Sequence, residues 1–357
     1  MNFLKMLTLP RPLFRKIARA VFAPRYADRV RTVAFLFIFL LTFTSLSQII
    51  HGSEFIDWKN LRNPVLSYPN WSVKDTAMAY RNGVFYVFFS AFYEDHGQVR
   101  SHVVEVSTRD FKTYSQPIFN FDGEEDGWLG MCSPDVQRMG NRYVMTFNSW
   151  GDKPGKWNAL FYKTSNDLTH WSRTMPLAAE LTAGKRVIDA AIAHTANGYY
   201  ATWKEGQHGM KPRMAFAPSL DGPFHFVESG LPSLLMQDGK DDSLIHENYE
   251  FTEIDGRWRL LATDYNPPSP RLYTLANPAD WLKWTQGYEL KIPVESFNTD
   301  NVANAAALYD WRAHDGFFYL IYAGRTERAT YLHRGWNRIG LARSKDLIHW
   351  QPAGKLE

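Results

Sequence analysis

The chain has 357 residues, of which 45% are hydrophobic, 22% charged and 15% aromatic, so it is neither a disordered nor a fibrous protein. Its one cysteine, Cys132, excludes an intramolecular disulfide and a cysteine-cluster metal site. Residues 1–32 carry a net charge of +7, which leaves −4 on the remainder of a chain whose net charge is +3. A mildly acidic body argues against nucleic acid as a partner, because such binding needs a basic surface on the folded domain.

The first elements in the chain predict a membrane anchor. A basic tail, residues 1–32, precedes an uncharged segment, residues 33–51, which contains the run VAFLFIFLLTFTSLSQII over 33–50. This is close to the length that spans a bilayer as a helix, and the basic side stays cytoplasmic. We therefore expect a single-pass signal anchor with the folded domain on the exported, periplasmic or extracellular side. A buried core helix is one alternative. Cleavage as a signal peptide after Ser47, followed by secretion, is the other.

The rest of the chain, residues 55–357, is a repeat. Five hairpin signatures place a Gly between two apolar runs, as in RNGVFYVFF and IDGRWRLLA, and tight hairpin turns need the positive φ that Gly provides. The separations between these glycines are 57, 58, 58 and 60 residues, and the glycines are Gly83, Gly140, Gly198, Gly256 and Gly316.

A second motif follows each hairpin, with an Asp and then an aromatic residue, as in TSNDLTHW and RSKDLIHW. We interpret the Asp as the cap of a turn and the aromatic as packing between neighbouring units. The aspartates are Asp110, Asp167, Asp221, Asp280 and Asp346. Five all-β units of about 60 residues predict a five-bladed β-propeller, whereas a two-sheet sandwich would not repeat the same pair of motifs five times.

Polar residues at the start of the first strand of each unit would meet at one mouth of a propeller's channel. They are Asp75, Asp135, Asp189, Glu247 and Asn304, of which four are acids. One alternative is that some of these acids only cap turns or accept hydrogen bonds from neighbouring backbone. Crowded carboxylates raise one another's pKa values, however, and paired carboxylates are what most glycosidases use. The pattern therefore favours a glycosidase site.

The chain resembles the five-bladed glycosidase superfamily, in particular glycoside hydrolase family 43, as a distant member. The resemblance covers about residues 60–357 and is carried by NPVLSYPNWSVKDTAMAYRNG, SPDVQRMGNRYVMTF, VIDAAIAHTANGYYATW and HENYEFTEIDGRWRLL. It implies hydrolysis of a furanose-containing, arabinosyl- or xylosyl-type oligo- or polysaccharide. It assigns the general base to Asp75, the general acid to Glu247 and the orientation of that acid to Asp189, with inversion at the anomeric carbon. Asp135 is expected to support substrate positioning.

Two family features are missing. The Pro that usually follows the first Asp is Thr76 here, and the fifth unit lacks the pore histidine that often holds a metal or its water. Asn301 and Asn304 stand near that place. We therefore expect no cofactor and no metal.

Aromatic side chains near these acids are candidate stacking platforms for sugar rings. They are Trp71, Trp128, Trp150 and Trp203, with Trp71 favoured because it leads into Asp75. His246 is a candidate hydrogen-bond partner beside Glu247. Two other functions stay open: a phosphate-dependent glycoside phosphorylase, for which His208, Lys211 and Arg213 are the basic candidates, and a non-catalytic glycan-binding propeller.

Overall fold

The structure is a computed structural model that describes residues 56–151, 156–206, 210–243, 246–265, 268–326 and 337–355. The chain divides into two units, Met1–Glu54 and Phe55–Glu357, and the described residues belong to the second. The predicted tail (1–32) and anchor (33–51) lie outside the described residues. Within those residues, no helix has the length and apolar character needed to cross a membrane.

The described chain is almost entirely β-structure, as the sequence predicts. Five successive groups of four antiparallel strands follow the chain order. Groups 1 and 2 share one eight-stranded sheet, because Ser101 of β3 pairs in parallel with Gly130 of β5, and groups 3, 4 and 5 lie in separate sheets. Group 1 holds β1 (Ser72–Arg81), β2 (Val84–Asp95), β3 (Gln98–Thr108) and β4 (Phe119–Phe121). Group 2 holds β5 (Gly130–Met139), β6 (Arg142–Trp150), β7 (Leu160–Ser165) and β8 (Met175–Pro176). Group 3 holds β9 (Val187–Thr195), β10 (Gly198–Glu205), β11 (Lys211–Ala217) and β12 (His225–Phe226).

Groups 4 and 5 repeat this order. A short strand, β13 (Ser233–Met236), comes first and pairs in parallel with the last strand of group 4. Group 4 holds β14 (His246–Ile254), β15 (Arg257–Tyr265), β16 (Pro268–Asn277) and β17 (Asp280–Glu289). Group 5 holds β18 (Asn301–Asp310), β19 (Phe318–Arg325), β20 (Arg338–Ser344) and β21 (Gln351–Pro352). The described helices are single turns: α1 (Ala179–Thr182), α2 (Arg312–Asp315) and the 3-10 turns Trp58–Asn60 and Glu124–Asp126.

The turns between the first two strands follow the sequence prediction most closely in groups 1, 2 and 4, where the Gly lies in a two-residue turn. In group 3, Gly198 is the first residue of the second strand, and in group 5 the single turn Arg312–Asp315 separates the strands and Gly316 caps it. All five turn glycines have positive φ, between 62° and 143°. At two of these turns the preceding residue, Asn82 or Asp255, also has positive φ, which is the conformation of the tightest hairpin turns.

The aspartates of the second motif cap turns, also as predicted. Oδ1 of Asp167 accepts hydrogen bonds from the backbone N–H groups of Thr169 and His170, and Asp346 repeats this with Ile348 and His349. Asp221 departs from the pattern and accepts instead from the hydroxyl of Tyr162. These residues are therefore part of the scaffold.

The hydrophobic core consists of five clusters, and each joins two groups. Phe88 of group 1 and Phe147 of group 2 share one cluster, with Trp171 packed against it. The following clusters join groups 2 and 3, groups 3 and 4, and groups 4 and 5. A fifth cluster joins group 5, through Ile321, to Val87 of group 1.

The ends of the described chain meet at this last junction. Leu66 and Ile339 exchange two backbone hydrogen bonds, and the Trp58 indole donates one to the carbonyl of Lys355 at 2.8 Å. The first strands β1, β5, β9, β14 and β18 contact one another in that order, and β18 contacts β1. The starts of these strands are thereby brought together around one centre.

Candidate active site

A β-bulge lies near the start of the first strand in every group. The strand register shifts there, and one residue per group has positive φ, which aims its side chain away from the regular alternation. These bulge residues are Asp75 (φ 55°), Ser133 (54°), Asp189 (59°), Asn248 (47°) and Ala305 (47°). Positive φ is costly for residues other than Gly and is often found where function needs it.

This register corrects the prediction that four acids occupy one repeated position. Of the four, only Asp75 and Asp189 are bulge residues. Glu247 comes one residue before its group's bulge residue, and Asp135 comes two residues after Ser133. Asn304, the fifth predicted residue, directly precedes Ala305. Nearly equal chain distances between the bulge residues would have indicated the correct alignment of the five groups. In group 2 the sequence Pro134–Asp135 suggested a different alignment, because it places an acid two residues after the bulge residue Ser133.

The structure does bring the three acids Asp75, Asp189 and Glu247 together, and it places two lysines among them. Lys74 Nζ lies 3.2 Å from Oδ1 of Asp75 and 3.6 Å from Oε2 of Glu247. Lys204 Nζ lies 3.0 Å from Oδ2 of Asp189 and 3.4 Å from Oε1 of Glu247. Sequence reasoning missed both lysines, which form this site together with the acids.

The spacing of the two acids flanking Lys74 is bounded by these contacts. Oδ1 of Asp75 and Oε2 of Glu247 can be no more than about 6.8 Å apart, the sum of their two distances to Lys74 Nζ. Glycosidases that invert hold their carboxyl groups ~6.5–9.5 Å apart and those that retain about 5–5.5 Å apart. This upper limit, which applies to the two oxygens nearest Lys74 Nζ, includes the whole retaining range and only the near edge of the inverting range.

Lys204 occupies a position on the second strand whose side chain, in groups 1, 2 and 4, accepts a hydrogen bond from the backbone of the next group. The equivalent residues on the second strands are Ser90, Asn148, Lys204, Thr263 and Ala323. Ser90 Oγ accepts from the backbone N–H of Ser133 at 2.8 Å, and Asn148 Oδ1 accepts from that of Asp189 at 2.9 Å. In group 3 an ammonium group stands in that place and contacts two acids instead. A lysine at the end of the apolar run ATWK was the available sequence signal.

The charges in the cluster give its acids unequal pKa values. Burial raises the pKa of Asp75, and the charges of Asp189 and Glu247 add to it, against a lowering by Lys74. Burial acts to raise the pKa of Glu247 as well, but Lys74 and Lys204 outweigh it and hold that pKa well below its usual range. Burial acts to lower the pKa of Lys204, and Asp189 and Glu247 reverse this.

Asp135 lies deeper in the centre and faces Glu250. Gln137 Nε2 donates to Oδ1 of Asp135 at 3.1 Å, and the backbone N–H of Leu308 donates to Oε2 of Glu250 at 2.8 Å. Burial raises the pKa of Asp135 to about 7, and burial together with Asp135 raises that of Glu250 well above its usual range. Asp135 lines a small cavity with Asp189 and Glu250. Asp135 is therefore a member of a buried acidic pair that shares a small cavity with Asp189 of the cluster.

Three of the predicted platform or partner residues are packed within the protein. Trp203 has no exposed surface, so it has no free ring face for a sugar. Trp128 is buried and carries Lys156 Nζ 3.9 Å above its ring. The side chain of His246 is also fully buried, with Nε2 3.1 Å from the hydroxyl of Tyr273 and 3.3 Å from Oδ2 of Asp242. These three residues support the site from within.

Trp71 and Trp150 remain candidate platforms. Both are half-buried. Trp71 packs on Tyr68 and His102 at the entry to β1, immediately before the cluster. Trp150 packs edge-on against Phe92, whose ring lies 5.9 Å from Lys74 Nζ. Asn304 is also half-buried.

Metal ligands do not gather in the part of the chain that the structure describes. No group of three or more His, Cys, Asp or Glu residues there is placed to hold a metal ion.

Solved structures with a similar fold include several glycosidases. A thermostable family-43 glycoside hydrolase is similar with a TM-score of 0.57 and 14% identity over 82% of this chain and 96% of that chain. A family-43 β-xylosidase/α-arabinofuranosidase from a compost microbial metagenome, in complex with xylotriose, gives 0.56 and 13% over 83% and 99%. The GH43_1 enzyme from Xanthomonas citri complexed with xylotriose gives 0.54 and 14% over 77% and 88%. No protein-family profile and no curated protein matches the sequence. The chain thus has the fold of the family-43 glycoside hydrolases, at low sequence identity.

Proposed function

We propose that this chain is a glycoside hydrolase that cleaves O-glycosidic bonds in a furanose-containing, arabinosyl- or xylosyl-type oligo- or polysaccharide. The observation that carries the proposal is the convergence of Asp75, Asp189 and Glu247, from three different groups of a family-43 fold, on one buried cluster. The similar enzymes crystallised with xylotriose support a pentose-containing substrate.

We also infer that the five strand groups are the blades of a five-bladed β-propeller. The five core clusters each join consecutive groups, and the fifth group packs on the first. A radial arrangement of this kind shields the sheet edges and collects one strand start from each blade at the centre. A site whose residues come from β1, β9, β10 and β14 requires the starts of the first strands to meet in this way.

In this proposal Asp75 and Glu247 are the carboxyl pair on either side of the scissile bond. One protonates the leaving oxygen and the other, ionised, activates a water on the opposite face of the sugar. Asp189 is a positioning residue, because it contacts the Lys204 ammonium that also contacts Glu247. Trp71 and Trp150 are proposed to contact sugar rings, with Asn304 at the same edge.

The phosphorylase alternative receives no support from the described residues. Lys211 is exposed, Arg213 Nε lies 3.8 Å from Glu205, and His208 lies outside the described residues. Among the described residues, the two lysines of the cluster face carboxylates.

The location of the chain is part of the proposal. We propose that residues 33–51 anchor it in a membrane as a single-pass segment, with the proposed hydrolase domain on the exported side and secretion after cleavage as the alternative. The basic tail and the uncharged run support this.

Release of reducing sugar by the full chain tests the function. The substrates are arabinofuranosides, xylosides, galactosides and fructans, with Glu247→Gln and Asp75→Asn in parallel. Glu253→Gln, an exposed acid on the same strand as Glu247, is the matched control. Turnover of one substrate class that both site variants lose and the control keeps would support the proposal. Glycan binding without turnover, unchanged in both site variants, would favour a binding protein.

A further inference from the structure

Three cations lie close together at the ends of strands in group 3, beside the acidic cluster. Glu205, the last residue of β10, pairs in register with Lys211, the first residue of β11, and Arg213 follows on the same strand. Lys185, two residues before β9, reaches Oε1 of Glu205 at 3.5 Å. We name Lys185, Lys211 and Arg213 the basic patch. With Glu205 it carries +2, in a chain whose charge beyond the basic tail is −4.

The guanidinium of Arg213 is held by packing and not by hydrogen bonds. Its Cζ lies 4.0 Å from the centre of the Phe226 ring, and the side chain is 17% exposed. The ion pair from its Nε to Oε2 of Glu205 is 3.8 Å long, beyond hydrogen-bond distance. Both atoms are buried, and neither has a hydrogen-bond partner among the described residues. Buried polar atoms are normally satisfied, so this oriented guanidinium is suited to an anion that accepts from two of its N–H groups.

The two lysines of the patch add charge that is open to solvent. Lys211 is exposed, and the side chain of Lys185 is 42% exposed, with Nζ 5.5 Å from the centre of the Phe226 ring. Glu205 lies between Lys185 and Arg213 and balances one of the three positive charges. The remaining charge attracts an anion from solution, most strongly at low ionic strength.

The patch lies next to the acidic cluster but on the other face of the sheet. Lys204, which directly precedes Glu205, contacts Asp189 and Glu247 at 3.0 and 3.4 Å. Successive side chains of a strand point to opposite faces, so Glu205 and its partner Lys211 point away from the face of Lys204. An oligosaccharide that crosses the end of β10 can therefore contact both sets of groups, with its anion away from the bond that is cleaved.

We propose that Arg213, Lys211 and Lys185 form a subsite for the carboxylate of a uronic acid residue in the substrate, beside the sugar whose bond is cleaved. The inference rests on the proposed hydrolase function and narrows its substrate to an acidic, uronate-bearing oligo- or polysaccharide. Arg213 fixes the orientation of the carboxylate through paired N–H groups, and the lysines supply attraction without fixed geometry.

A phosphate group is the other anion that such a patch could bind. A guanidinium binds carboxylate and phosphate in the same way, through two parallel hydrogen bonds. Glu205 lies within the patch and repels a doubly charged phosphate more than a singly charged carboxylate. The carboxylate of a uronic acid is also part of the sugar itself, whereas a phosphate would have to be a separate ester or a free ion.

Matched ligands test the subsite. Xylotriose and arabinotriose, each carrying one glucuronosyl residue, are compared with the same oligosaccharides after reduction of the carboxyl group to an alcohol. Calorimetry on the full chain with Glu247→Gln measures both Kd values without cleavage. We expect the acidic form of one oligosaccharide to bind ~10–10²-fold more tightly, the worth of charge-assisted hydrogen bonds. Raising the salt from about 50 to about 500 mM should reduce this ratio.

Substitutions assign the preference to the patch. In the same background, Arg213→Gln should reduce the ratio of the two Kd values about tenfold or more, and Arg213→Lys should restore part of it. Lys211→Gln, at an exposed position where folding is not at stake, should reduce it about two- to fivefold. Arg109→Gln, at an exposed arginine of group 1, is the matched control and should leave the ratio unchanged.

The subsite and the proposed function can fail separately. Equal binding of the acidic and reduced ligands, no binding of either, or a preference that Arg213→Gln and Lys211→Gln both leave intact would overturn the subsite. Turnover that requires inorganic phosphate would overturn it too, because the patch would then serve a phosphate co-substrate. If the wild-type chain hydrolyses neutral glycosides without any acidic preference, only the subsite is overturned. If it prefers the acidic ligand but cleaves no glycoside, only the hydrolase function is overturned.

Discussion

The indole Nε1 of Trp171 donates a hydrogen bond of 2.9 Å to Oε2 of the buried Glu105. Trp171 is the motif aromatic of the second repeat unit, and Glu105 lies on β3 of the first. Trp171 also packs edge-on against Phe88 of that first unit. The motif aromatics of the fourth and fifth units, Trp284 and Trp350, likewise pack into clusters shared with the preceding group. The prediction that these aromatics fill the space between units is confirmed.

Glu105 makes this junction sensitive to pH. Burial raises the pKa of Glu105 to about 8, from an ordinary value of 4.5. The folded chain thus keeps a proton that the unfolded chain releases, so stability falls as pH rises from about 4.5 to 8. Glu105→Gln keeps an acceptor for Trp171 and removes the titration. We expect its melting temperature to exceed that of wild type at pH 8.5 and to match it at pH 4.5. Equal pH profiles for the two chains would contradict this.

The Asp135–Glu250 pair predicts a second pH effect, in which two acids are coupled. Both pKa values are raised, so the contribution of this pair to stability is greatest below about pH 4 and is lost as the pH rises through about 7. At pH 8 we expect Asp135→Asn to gain about 1–3 kcal/mol in free energy of unfolding.

A double-mutant cycle with Glu250→Gln isolates the coupling. The double variant should gain less than the sum of the single variants at pH 8, and the difference should vanish at pH 4. Denaturant titrations at the two pH values measure this, with the exposed Glu253→Gln as control. Additive gains at pH 8 would show that the two acids do not interact.

Substitutions of Trp203 and Trp71 distinguish a tryptophan that packs in the core from one that is proposed to bind a sugar ring. Trp203 is fully buried in the cluster between groups 2 and 3, so Trp203→Phe should cost about 1–3 kcal/mol of stability through lost volume and leave KM unchanged. Trp71 is half-buried beside the cluster. Trp71→Leu should raise KM about three- to tenfold, the worth of one aromatic contact, and change kcat little.

Thermal melts and Michaelis–Menten kinetics measure both effects. Trp157→Leu, at an exposed tryptophan, is the control and should change neither quantity. A KM increase in Trp203→Phe at unchanged stability would reverse this division of roles.

Asp189→Asn tests the positioning role. Lys204 then keeps one partner, Glu247, and its ammonium is no longer held between two carboxylates. We expect kcat to fall ~10²–10⁴-fold with KM nearly unchanged. The fold should persist, because Asn148 still accepts from the backbone N–H of residue 189. Asp238→Asn, at an exposed acid, is the matched control. Unchanged kcat in Asp189→Asn would remove Asp189 from the site.

The repeat could be predicted from the sequence because its signals are local. A Gly that must adopt positive φ, an Asp that caps the next turn and an aromatic four residues on are each determined within one short stretch. The all-β class and the five units follow from their spacing. The convergence of Asp75, Asp189 and Glu247 could also be predicted, because each lies near the start of a first strand.

The tertiary structure decided what those acids face. A bulge shifts the strand register by one residue and turns a side chain to the other side of the strand. Asp75 is itself a bulge residue and lies in the cluster, whereas Asp135 comes two residues after the bulge residue Ser133 and lies in a buried pair with Glu250. Lys74 and Lys204 reach the acids from strands that are far apart in the chain, and a lysine's place in a sequence does not say where its long side chain ends. Charge balance in a buried cluster depends on every group present at once. The sequence therefore indicated which acids come together, and the tertiary structure decided which charged side chains surround them.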